Sequence, residues 1–193
     1  MTATPSPPSR AALSPAPRPA GLVTASAPPL RLPVEHFIAG FICLALGGAG
    51  LVWIAPALAA GAFVSTRVVA VVHLFTLGFI SMSILGALYQ FLPVAVNTPI
   101  RSQRLAHLTF ALFLLGIAVF LAGLLAAPPL LPLGGGLTAL ALTLFAGNFI
   151  ATLARAKERS VTWWALAAAA FFLVVTLGLG FTLALNLRNG LLL

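Results

Sequence analysis

The sequence predicts an all-α polytopic membrane protein, a five-transmembrane-helix antiparallel bundle behind a disordered N-terminal tail. Three observations predict it. Of 193 residues, 61% are apolar and 6% charged, whereas a soluble domain carries about a quarter charged residues. The mean hydropathy is +1.14. Five apolar runs each reach the roughly 20 residues a helix needs to cross the hydrocarbon core, and short polar or Pro/Gly breaks separate them. Strands do not fit, because a membrane barrel is built from alternating segments of about ten residues.

Residues 1–33 are rich in Pro, Ala and Ser, with Pro-Pro at 7–8 and 28–29. Such a stretch cannot bury enough apolar surface to offset its ordering entropy, so it reads as a disordered cytoplasmic tail. A secretory signal places its apolar core within about the first 15–30 residues, yet the first long apolar run here follows Pro33. The tail is therefore not read as a signal peptide. The transmembrane helical domain covers 34–193, with spans near 35–60, 67–93, 105–127, 134–154 and 161–187. The breaks between them, at Ser65 to Arg67, Asn97 to Arg104, Pro128 to Gly136 and Arg155 to Ser160, are short enough to make neighbouring spans antiparallel hairpins. Trp163 and Trp164 mark the start of the fifth span, where aromatic rings favour the headgroup level. Gly47, Gly48, Gly50, Gly78, Gly86, Gly116, Gly123, Gly178 and Gly180 are candidate contact positions, since packing in lipid uses close backbone approach.

Glu35 and Glu158 are the only acidic residues against ten Lys/Arg, a formal charge of +8. A nucleic-acid binder gathers its basic residues on one face or helix, but these lie between apolar runs, so no nucleic-acid partner is expected and the lipid bilayer is. One side of the predicted topology collects Arg10, Arg18, Arg31, Arg101, Arg104, Arg155, Lys157 and Arg159; the other receives Arg67 and Arg188. The positive-inside bias then puts the N-terminus in the cytoplasm and the C-terminus in the periplasm of a bacterial-type inner membrane. Cys43 is the single cysteine, which excludes a disulfide or a cysteine-built metal site within one chain.

The inventory of reactive groups is short. There is no aspartate, no paired carboxylate and no Ser/His/Asp set, so acid–base and nucleophilic enzymology lack their residues. His36, His73 and His107 remain. His73 lies about six residues into the second span, roughly 9 Å below the surface. An imidazole there needs a metal, a water-lined cavity, or a hydrogen bond to a carbonyl or hydroxyl on a neighbouring helix. His36 and His107 occupy first turns at the opposite side and are expected at the interface, solvated or snorkelling. The thickness between them and His73 stops one metal ion from bridging all three.

The segment 73–93, HLFTLGFISMSILGALYQFLP, resembles helix II of the haem–copper oxidase subunit I superfamily, above all its nitric oxide reductase branch and the NnrS-like membrane proteins. The shared features are a histidine early in the helix, a Gly-Ala-x-Tyr element at Gly86–Tyr89 and a proline at the exit, Pro93. The resemblance implies that His73 is an axial ligand of haem b near the outer face, with Gly78, Gly86 and Tyr89 packing near the cofactor. It covers about twenty of the 193 residues. The later haem ligands and the copper-binding histidines of the family have no counterpart, so no copper site is expected, the chain reads as a reduced or half-length version, and it is not expected to reduce oxygen or nitric oxide alone. Met82 is about 13 Å from His73 along the helix. A second axial ligand is therefore expected from outside the monomer, most simply from a homodimer.

Two functions of different class follow. One is haem-based electron transfer or a response to nitric oxide or oxygen. The other is a structural or assembly subunit of a larger membrane complex, without cofactor, for which the scarcity of intramembrane polar groups argues. Transport is weaker, because transport sites use broken helices and polar groups near the midplane, and only Asn148, Thr138, Thr143, Ser81 and Ser83 are available.

Overall fold

The computed structural model describes residues 29–189; the predicted tail up to residue 28 lies outside them. Among the described residues, five helices are long and apolar enough to cross a membrane. They are α1 (Arg31–Ala59), α2 (Thr66–Ala95), α3 (Gln103–Leu125), α4 (Leu131–Leu153), entered through a 3-10 turn at Pro128–Leu130, and α5 (Val161–Asn189). Among the described residues there is no strand. These are the five predicted spans with ends moved by a few residues. α1 starts at Arg31, ahead of Pro33, because a proline in the first turn forfeits no intrahelical hydrogen bond.

Local chemistry sets the helix ends. Ser65 Oγ accepts from Val68 N at 3.4 Å and Ser102 Oγ from Leu105 N at 3.1 Å, capping α2 and α3. These hydroxyls satisfy amides that the first helical turn leaves without partners. Gly61 turns the chain between α1 and α2 with φ of +75°, a conformation that glycine adopts at little cost.

α2 is not uniform. It is α-helical over Thr66–His73, π-helical over Leu74–Ser81, and α-helical again over Met82–Ala95. In the wider turn, Ser81 Oγ donates to Thr76 O, five residues back, at 2.8 Å. α1 packs along this stretch: a Cβ added at Gly78 would meet Cys43 Cβ at 2.6 Å, and one at Gly47 would meet the Phe75 ring at 3.0 Å.

The closest pair is the α3–α4 hairpin. A Cβ at Gly116 would strike Thr138 N at 2.7 Å, one at Gly123 Leu131 N at 2.8 Å, and one at Gly134 the backbone of Phe120. Glycine contacts of this kind let helices approach in lipid, where dispersion replaces the hydrophobic effect as the driving force. Gly48, Gly178 and Gly180 have nothing within 4 Å, so the expectation that they mark contact faces is corrected. α5 instead docks mainly on α4, through Leu166 and Ala170, and only 11% of its apolar window is buried against 28% in α1.

One end of the bundle is tied by polar bonds. Arg101 N donates to Thr152 Oγ1 at 2.9 Å, Ser102 N to Asn148 Oδ1 at 3.1 Å, and Asn148 Nδ2 to Ser102 O at 2.9 Å. Trp163 Nε1 donates to Leu153 O at 3.0 Å. The helix directions place Arg31, Arg101, Arg104, Arg155, Lys157 and Arg159 at this end. Arg67 lies at the other, 5.3 Å from the centre of the Trp53 ring.

Candidate functional site

His73 closes the first α-helical part of α2, and the π stretch begins at the next residue. Its Nδ1 lies 2.7 Å from Val69 O. A carbonyl only accepts, so Nδ1 carries a proton, and in the neutral ring Nε2 holds the lone pair. The ring is half-buried and sits against Phe120 of α3, with centroids 5.0 Å apart. The hydrogen bond that sequence reasoning sought on a neighbouring helix is thus made within α2, and it uses one nitrogen only. π segments concentrate at functional sites, so the break at His73 singles out this histidine by a feature the amino-acid pattern does not carry.

Beside this turn, an apolar groove of about 220 Å³ runs between α1, α2 and α3, lined by Ala39, Cys43, Leu74, Leu114, Ile117 and Leu121. Pockets that enclose drug-sized ligands start at roughly 300 Å³; a large flat ligand here would extend beyond the groove towards lipid.

Of the other residues grouped with His73 by resemblance, Gly78 lies in the adjoining π stretch, whereas Gly86 and Tyr89 lie further along α2. Gly78 is taken up by Cys43 of α1, and Gly86 by His36, whose Cβ would be 2.7 Å from an added methyl. Tyr89 is 3% exposed in the core, edge-on to Phe145 at 5.1 Å and to His36 at 5.5 Å. It lies sixteen residues beyond His73 on the same helix, about 24 Å along its axis.

His36 overturns an expectation. It is 0% exposed, not solvated at the interface. Leu32, Pro33, His36, Ala39 and Gly40 are all buried on α1, one i, i+3, i+4 face, and Gly86 supplies the space opposite the imidazole. Nδ1 donates to Leu32 O at 2.8 Å, while Nε2 is buried without a hydrogen-bond partner. His107 does lie at the surface, with Nδ1 3.3 Å from Glu35 Oε2; Glu35 also pairs with Arg31.

Tyr89, beside His36, belongs to a second buried polar group that sequence reasoning missed. Tyr89 Oη and Thr109 Oγ1 are likewise buried without partners. Tyr89 Oη nevertheless lies against the side chains of Thr109 and Asn148, within reach of a long hydrogen bond to either. A buried polar atom left unpaired costs about 1–3 kcal/mol. Depth was the available signal: His36, Tyr89, Thr109 and Asn148 each lie five or six residues inside a helix end on the same side of the bundle, about 8–9 Å in.

Comparisons with family models, curated proteins and solved structures find no match to this chain.

Proposed function

We propose that this multi-pass membrane protein holds haem b through His73 Nε2 and serves in electron transfer or in the response to nitric oxide or oxygen. The observation that carries this reading is the join between His73 and the π stretch, where the imidazole has Nδ1 committed to Val69 O and Nε2 free. That is the arrangement an iron-ligating histidine needs, because a carbonyl on the far nitrogen fixes the tautomer and raises the basicity of the ligand. A bound haem would supply a one-electron couple set by its axial ligands and surroundings. The groove beside Leu74 is not lined by His73 and is too small to enclose a haem, so a haem held by Nε2 would lie at the lipid-facing edge of the bundle, shared with a second copy whose own histidine completes the ligation. Gly78 packs on Cys43, which lines that groove, while Gly86 and Tyr89 lie further along α2; the ligation itself rests on His73. The basic end belongs to the cytoplasm by the positive-inside bias, which puts His73 near the periplasmic face of an inner membrane.

The test is the reduced-minus-oxidised spectrum of the protein purified in detergent. A haem b band is expected in the wild type and in His107→Ala, and its loss is expected in a His73→Ala variant that keeps its helical circular dichroism. No band in the wild type, or an unchanged band in His73→Ala, sinks the reading.

α5 favours a second reading, a cofactor-free subunit of a larger complex. Phe171, Phe172 and Leu179 are more than 60% exposed, along a helix with one main neighbour. Extraction in a mild detergent discriminates: this reading expects stoichiometric co-purification with another membrane protein and no haem.

A further inference from the structure

Independently of His73, we propose that the groove between α4 and α5 at the basic end of the bundle holds an anionic phospholipid, with an acyl chain in the groove and the phosphate at Arg159. The groove measures about 360 Å³, and its lining on α5 runs from Trp163 to Val174. Those eleven residues of helix span about 16 Å, the depth of one leaflet of a hydrocarbon core about 30 Å thick. Spread over that length, the volume makes a slot too narrow for a helix about 10 Å across but suited to a hydrocarbon chain. Ala154, Ala167 and Ala170 leave the slot open, since each brings only a methyl to its lining.

Charge at the mouth of the groove selects the headgroup. Trp163 lines the groove, is held by its Nε1 bond to Leu153 O at 3.0 Å, and carries the Arg159 guanidinium over its ring, 5.2 Å from the centre. Topology alone would account for basic residues in this turn, but not for a guanidinium stacked on a ring that lines the groove. Stacking uses the guanidinium face and leaves its edge donors for the paired bonds a phosphate accepts. Arg155 directly follows Ala154 of the lining, and Lys157 lies between the two arginines. With Glu158, the turn carries three positive charges and one negative, and none of the four is in an ion pair among the described residues. Basic pockets between membrane helices suit anionic headgroups. A soluble anion would leave the apolar slot unused, and a zwitterionic lipid would bring its own cation towards the arginines.

Brominated acyl chains quench tryptophan on contact, so Trp163 can report occupancy directly. The full chain with Trp53→Phe and Trp164→Phe keeps Trp163 as its one tryptophan. It is reconstituted in phosphatidylcholine vesicles that contain equal small fractions of brominated phosphatidylglycerol or brominated phosphatidylcholine. The ratio of the two quenching constants cancels changes in intrinsic emission. A Lys/Arg near the membrane surface is worth about fivefold in affinity for anionic lipid, so a ratio of about five or more in favour of phosphatidylglycerol is expected. Arg155→Gln with Arg159→Gln leaves Lys157 and Glu158 to cancel, and is expected to bring the ratio close to one. Ala167→Phe fills the slot while keeping every charge, and the same fall is expected, which separates this site from general attraction of anionic lipid to a basic turn. The arginines lie in an exposed turn, so that double variant decides even where Ala167→Phe does not fold. A ratio near one without these changes, or an undiminished ratio in either folded variant, overturns the proposal. So does a lack of quenching by both lipids, as when a second copy or another protein fills the groove.

Discussion

Asn148 shows how much one polar side chain can hold in an apolar bundle. Both ends of its amide are spent on the backbone of Ser102, so α4 fixes the turn between α2 and α3. Asn148→Leu keeps the volume but leaves the Ser102 amide and carbonyl without those partners, at a cost of about 1–3 kcal/mol, reduced by whatever water reaches this part-buried turn. The expected outcome is a lower melting temperature together with faster hydrogen exchange at Ser102. Thr143→Val, which removes only an exposed bond within one helix turn, should change neither measurably. The sequence marks Asn148 as an unusual residue for a membrane span. Its role was not legible, because the partner is 46 residues away and only the fold brings the two together.

Among elements, the α3–α4 hairpin is the most exacting. Gly134 faces the Phe120 backbone, which cannot swing aside as a side chain can, whereas Gly135 has nothing within 4 Å. Gly134→Ala is therefore expected to destabilise by about 1–3 kcal/mol through overpacking, and Gly135→Ala to be neutral or slightly stabilising, since alanine is the better helix former. Thermal unfolding of the two variants side by side checks this. Adjacent glycines with opposite sensitivities cannot be told apart by composition, because the difference is where the partner helix runs. The π stretch of α2 is similar: LFTLGFIS contains no proline and satisfies an apolar α pattern equally well, so the residue pattern does not announce the wider turn.

For the whole molecule, the distribution of basic residues predicts orientation. Val64, 91% exposed in the α1–α2 turn, and Glu158, exposed in the α4–α5 turn, lie at opposite ends. In a Cys43→Ser background, Val64→Cys is expected to react with a membrane-impermeant maleimide on intact spheroplasts, and Glu158→Cys only after permeabilisation. The reverse pattern would invert the bundle and move His73 to the cytoplasmic face. α5 belongs to this scale too, since its thin contact with the rest of the chain leaves a long apolar surface to lipid or to another protein.

Length, apolar content and the spacing of the breaks were enough to specify five membrane-length helices and their approximate ends, because crossing a hydrocarbon layer is a demand on each segment separately. The tertiary structure decided which face of each helix is buried. It turned His36 inward beside Tyr89 and Phe110, set Gly78 and Gly86 against α1, and opened the π turn after His73. A nearly all-round apolar helix has no polar face to announce its orientation, so these placements depend on close contacts between helices that no single segment encodes.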